Sequence, residues 1–126
     1  MFIPKSLYYT ENHLWLRQIG LWDFYIGITD YAQYKIGEIQ LIELELKNIT
    51  MQKDIMLGII HGINQKITFI APLDCEILAI NPILQENTSA INRKPYEHWF
   101  LKVRVNIHKD YFLSNQEYKY LIKNDF

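Results

Sequence analysis

Residues 100–107 read Phe-Leu-Lys-Val-Arg-Val-Asn-Ile, with Leu101, Val103, Val105 and Ile107 on one side and Lys102, Arg104 and Asn106 on the other. Alternation of this kind sends successive side chains to opposite faces of a pleated strand, and the apolar face has to be covered. The same period runs through residues 21–28, where Trp22, Phe24, Ile26 and Ile28 share a side. Shorter runs of similar kind occupy residues 14–18, 39–44, 54–61, 66–70 and 76–80. A chain patterned in this way is mostly β. Its 126 residues fit a single domain, 1–126, with room for one substantial core.

Helical punctuation is local. Thr29 is a capping residue, Gly37 a stop, and the residues between them make about two helical turns. Ser114-Asn115-Gln116-Glu117 reads as a capping box, with Leu113 and Tyr118 placed as a hydrophobic staple. Tyr118, Leu121 and Ile122 follow at helical spacing, so a short terminal helix is expected to dock on the sheet. Residues 81–96 contain Pro82 and Pro95 and no sustained period, the pattern of a long ordered loop with room for a helical turn.

Several function classes find no support. A formal net charge of -1, with acidic and basic residues intermixed, makes no field that would gather nucleic acid or an anionic membrane. The beginning, MFIPKSLYYT, lacks the features of a secretory signal and no apolar run reaches spanning length, so a cytoplasmic protein is expected. Cys75 stands alone and cannot form an internal disulfide; a buried thiol is the expected state. His13, His61, His98 and His108 show no metal-ligand spacing. No glycine-rich phosphate loop occurs, and neither Ser6, Ser89 nor Ser114 sits in a nucleophile elbow. Glu43 and Glu45 alternate on a strand and read as a solvated edge. An enzymatic role would have to rest on the 81–96 loop together with His98, without a paired nucleophile and base.

The stretch His61-Gly62-Ile63-Asn64-Gln65-Lys66-Ile67-Thr68-Phe69 reads as a hairpin, with its turn in Gly62-Ile63-Asn64-Gln65. Glycine and asparagine both tolerate the positive φ that tight hairpin turns use, which is the expected reason for their presence.

Four segments carry a resemblance: YYTENHLWL, IGITDYAQYKIGEIQLIEL, KPYEHWFLKV and LSNQEYKYLI. Their order and spacing resemble those of the glycine-cleavage H protein family, most specifically in the Gly27-Ile28-Thr29-Asp30-Tyr31-Ala32-Gln33 block with Gly37 following. The resemblance implies a flattened β sandwich, or barrel-sandwich hybrid, of lipoyl-domain type with short peripheral helices. It also implies a non-catalytic carrier in glycine catabolism, with lipoate in amide linkage on a lysine at a hairpin tip. The partners it implies are a lipoate ligase, glycine decarboxylase, aminomethyltransferase and dihydrolipoyl dehydrogenase.

Laying Gly58-Ile59-Ile60 and Ala71-Pro72 on the family's flanks without a gap puts Asn64 where that lysine belongs. His61 and Gly62 then replace a Glu-Ser pair, Cys75 a turn glycine, and Pro95-Tyr96-Glu97-His98-Trp99 is one residue short of the family pattern. A carboxamide nitrogen is delocalised into its carbonyl and cannot serve as the acylated amine. Two readings stay open. In one, the chain holds no cofactor and acts as a scaffold, regulator or decoy for lipoate-dependent enzymes. In the other, lipoate sits on Lys66, which shares a face with Asn64 if the strand already runs there, displaced by roughly 6–7 Å.

Overall fold

The computed structural model describes residues 1–46, 48–105 and 112–123. In chain order the elements are β1 (Tyr8–Tyr9), β2 (Leu14–Gln18), β3 (Asp23–Ile28), α1 (Asp30–Ile36), β4 (Ile39–Leu44) and β5 (Thr50–Met51). There follow β6 (Met56–Gly62), β7 (Lys66–Ile70), β8 (Cys75–Ile80), α2 (Ile83–Glu86), α3 (Thr88–Arg93), β9 (Leu101–Arg104) and α4 (Asn115–Ile122).

Two antiparallel sheets face each other. The larger has the order β1-β2-β3-β9-β8-β5 and the smaller β4-β6-β7, and neither closes on itself. This is the expected β sandwich with short helices at its periphery. Period-two patterning places the core: Phe24, Ile26 and Ile28 of β3, Leu101 and Val103 of β9, Ile42 of β4 and Phe69 of β7 all turn inward and are buried. Val105 is also buried, while Asn106 and Ile107 of the expected final strand lie outside the described residues.

β2 is covered on both faces. Leu14 and Leu16 enter the core between the sheets, whereas Trp15 joins a second cluster with Ile3, Leu7, Tyr9, Tyr31, Tyr96, Tyr118 and Ile122. The Trp15 ring fits because Gly27 lies opposite it, Trp15 being paired with Gly27 in the ladder. A Cβ at Gly27 would lie 2.4 Å from the indole. The buried polar ends of this cluster are paired, as burial requires: Trp15 Nε1 donates to the Pro95 carbonyl, the Tyr9 hydroxyl to the Pro4 carbonyl, and the Tyr118 hydroxyl lies 2.7 Å from Thr29 Oγ1.

Three expectations need correction. Trp22 is 43% exposed and precedes the strand, because Ile19 N–H bonds the Asp23 carbonyl and closes a turn over the intervening residues. Residues 81–96 hold two helices, α2 and α3, each too short to show a period; Leu84, Ala90 and Ile91 anchor them in the core side. On α4 the buried stripe is Asn115, Tyr118 and Ile122, and Leu121 is 39% exposed, since eight residues present only a narrow face to β1. The capping box itself is present as read, with Ser114 and Glu117 satisfying one another's backbone N–H groups.

Cys75 is buried, and burial, with Asp74 adjacent, pushes its thiol up to about 11. An unfolded thiol ionises near 8.5. The stability this group contributes is therefore complete below about pH 8.5 and is lost as pH rises towards the folded value. Cys75→Ala should make the decline in urea stability between pH 8.5 and 11 shallower than in the unmodified chain. An unchanged slope would contradict this assignment.

Candidate functional site

The hairpin tip is built on the end of α1. Thr29 caps the start of that helix, its Oγ1 accepting from Ala32 N–H, and Gly37 ends it at φ 75°, ψ -158°, a region only glycine occupies readily. Ending a helix leaves carbonyls without intrahelical partners. Here the tip supplies one for Ile36, whose carbonyl accepts from Asn64 N–H at 3.0 Å, and just past the cap Ile63 N–H donates to the Glu38 carbonyl at 2.9 Å.

This contact explains the turn's composition differently from the sequence expectation. Among the described residues, positive φ occurs only at His13, Asp54 and Gly37, so neither Gly62 nor Asn64 is chosen for left-handed backbone. Gly62 is required by proximity, because a Cβ there would lie 2.1 Å from the Ile36 carbonyl oxygen. Gly37 likewise makes room for Asn64, whose Nδ2 lies 2.7 Å from where a Gly37 Cβ would sit.

A residue that sequence reading missed completes the support. Asn92 on α3 accepts from Ile39 N–H at 2.8 Å, and its Nδ2 donates to the Gly37 carbonyl and to Gln33 Oε1. It ties the α1–β4 connection to α3 and so holds the platform under the tip. An asparagine inside a helix was the one available signal, since its side chain competes with the backbone there.

The two candidate attachment positions are both exposed. Asn64 lies in the turn, whereas Lys66 opens β7 and pairs with His61, which in turn pairs with Leu41. The condition for a shared face is not met, because β7 begins at Lys66 and the pleat does not extend back to Asn64. Lys66 belongs to the outer face of the small sheet. On that face His61 Nε2 lies 2.5 Å from Glu43 Oε1, an ordinary partner for a partly exposed histidine.

A cleft of about 150 Å³ beside the tip is lined by His13, Tyr31, Lys35, Gln65 and Ile67. That is below the roughly 300 Å³ at which pockets hold drug-sized ligands. His13 sits at φ 66°, with Nδ1 2.8 Å from the Tyr118 hydroxyl, and contributes to packing around α1.

Among the described residues, the alternative site at His98 gains no hydrogen-bonding or ion-pair partner. The cleft beside that segment is lined by Phe2, Asp30, Arg93, Tyr96 and Glu97. The neighbouring segment is structural: Arg17 donates to the Tyr96 carbonyl, and Asp30 N–H to the Tyr96 hydroxyl. Among the described residues no group of three His, Cys, Asp or Glu side chains could hold a metal ion, and no helix is long and apolar enough to cross a membrane. His108 lies outside the described residues.

Comparison with known proteins places this geometry. A family model described as "Glycine cleavage H-protein" matches residues 7–125. The chain is 36% identical over 121 residues to the glycine cleavage system H protein of Clostridioides difficile (strain 630), covering 94% of this chain and 97% of that protein. It is 34% identical over 122 residues to the H protein of Listeria monocytogenes serotype 4a (strain HCC23), with 94% and 97% covered. Its fold matches the crystal structure of a glycine cleavage system H protein from Mycobacterium marinum at a TM-score of 0.83 and 22% identity, over 98% of this chain and 100% of that one.

Proposed function

Because the chain belongs to the glycine cleavage H-protein family, we propose that it is a member that carries no lipoyl group and acts by docking to the family's enzymes as a scaffold, regulator or decoy. The observation that carries this reading is Asn64 at the hairpin tip. The turn offers a carboxamide and no amine where the family's lysine belongs, so lipoate does not fit that position. The platform beneath it is nevertheless intact, with α1, Gly37 and Asn92 holding the tip in one geometry. A fixed tip without an acceptor suits recognition by partners better than carriage of an arm.

The partners under this reading are a lipoate ligase, glycine decarboxylase, aminomethyltransferase and dihydrolipoyl dehydrogenase. The test is competition. Added to glycine decarboxylase working with a lipoylated H protein, the chain should inhibit competitively with respect to that H protein and should support no turnover alone. Turnover with this chain as sole carrier would overturn the reading.

A second reading places lipoate on Lys66. It is favoured by one observation, that Lys66 is exposed and opens β7 directly after the turn. Under it, Lys66→Ala abolishes modification; label retained in that variant would remove it.

A further inference from the structure

The cleft beside the start of α1 has a volume of about 290 Å³, at the lower end of the range that holds small ligands. Its apolar lining is Phe2, Pro95 and Tyr96. Pro95 and Tyr96 are buried, and the Phe2 ring meets Tyr96 edge-on at 5.9 Å. The Tyr96 hydroxyl oxygen accepts from Asp30 N–H at 3.1 Å, and among the described residues no acceptor takes its hydrogen. Burial pushes this hydroxyl up to about 12, so at neutral pH it keeps that hydrogen and can donate it to a ligand oxygen.

The charges that line the cleft divide into a matched pair and two left over. Lys94 Nζ and Glu97 Oε2 lie 3.7 Å apart and offset each other. Asp30 and Arg93 line the same cleft but make no ion pair among the described residues. Both have neutral partners: Asp30 Oδ1 accepts from the Gln33 carboxamide at 2.7 Å, and the Arg93 guanidinium donates to the Ser89 hydroxyl at 3.1 Å. We infer that this cleft binds a free α-amino acid with an apolar side chain, its ammonium on Asp30, its carboxylate on Arg93 and its side chain against Phe2 and Pro95.

The choice of ligand follows from the charges. A simple cation would gain Asp30 and be opposed by Arg93, and a simple anion would meet the reverse. A wholly apolar ligand would strip water from both charges and give nothing back. A dipolar ion satisfies the two at once, and the guanidinium can grip its carboxylate through two parallel hydrogen bonds. An apolar side chain then uses the remaining walls, which an amino acid without one would leave wet. This inference does not depend on whether the chain carries lipoate. Asp30 begins α1 and the hairpin tip rests on its end, about 10 Å away along the helix, so an occupied cleft leaves Asn64 open.

The test is a titration of the isotope-labelled full chain, followed through its amide NMR signals, with L-leucine and with its two half-ligands, isopentylamine and isocaproate. Leucine should move the signals of Phe2, Asp30 and Tyr96 saturably, with a dissociation constant of order 1 mM. Each half-ligand should bind about tenfold more weakly. Asp30→Asn should bring leucine down to the affinity of isocaproate without weakening isocaproate itself, and Arg93→Gln should bring it down to that of isopentylamine. The same spectra show whether each variant is folded, and Arg93→Gln, at an exposed position, carries the test if Asp30→Asn does not fold. No saturable change at these residues up to about 20 mM leucine overturns the inference. So does equal affinity for leucine and either half-ligand, or leucine binding unchanged in a folded Asp30→Asn or Arg93→Gln.

Discussion

Asn64→Lys is expected to turn the native chain, which under the proposed reading accepts no lipoyl group, into one modified to near completion by a lipoate ligase. The expectation rests on separating what the tip presents from what holds it. The tip is held through backbone, by the Asn64 and Ile63 N–H groups on the Ile36 and Glu38 carbonyls, and those bonds do not depend on the side chain at position 64. The side chain itself is exposed, so a longer one projects into solvent. What changes is the chemistry. A lysine amine can attack an activated lipoyl carbonyl, forming an amide and releasing the activating group, whereas the asparagine nitrogen has no available lone pair. Peptide mapping of the coexpressed variant should place the increment in the 62–65 turn. An Asn64→Lys chain that folds and stays unmodified would mean that recognition has been lost beyond this residue, with His61 and Gly62 as the neighbouring departures.

Trp15→Ala should be the most damaging single truncation outside the tip. Trp15 is fully buried, joins β2 to the aromatic cluster, and donates to the Pro95 carbonyl. Removing it costs about 3–5 kcal/mol, and for a domain of this size that lowers Tm by roughly 10–20 °C. Gly27→Ala attacks the same contact from the other side, since its Cβ would meet the indole at 2.4 Å. Overpacking of this kind costs about 1–3 kcal/mol. The two should not add. With the indole gone, Gly27→Ala becomes neutral or slightly stabilising, and a double-mutant cycle on urea unfolding should give a coupling of about 1–3 kcal/mol. Additivity within about 0.5 kcal/mol would show that the two residues do not share the packing described.

How much of this was legible depends on range. β2, β4 and β7 begin and end where alternation and turn residues put them, and both caps of α1 and the capping box of α4 are local signals that the fold leaves in place. Trp22 went astray because a period-two run continues into the turn that closes the β2–β3 hairpin. Leu121 was assigned to a stripe wider than a two-turn helix can bury. α2 and α3 are too short for periodicity to register, although both pack against β4. At the tip, counting from the flanking Gly58 and Pro72 located the turn and Asn64 within it. The reason for Gly62 was not readable, because it depends on the Ile36 carbonyl, a backbone atom distant in sequence. The role of Asn92 was out of reach for the same reason, since its partners lie 53 and 55 residues away and its place in a helix was the one local signal.

The central claim is that this member of the H-protein family carries no lipoyl group, and intact mass spectrometry tests it most directly. The unmodified sequence should be coexpressed with a lipoate ligase and excess lipoate, beside an ordinary H protein. The account predicts the bare polypeptide mass while the control is fully shifted. A stoichiometric lipoyl increment on the native chain, mapping to Lys66, would contradict it and make the protein a carrier whose arm has moved into β7.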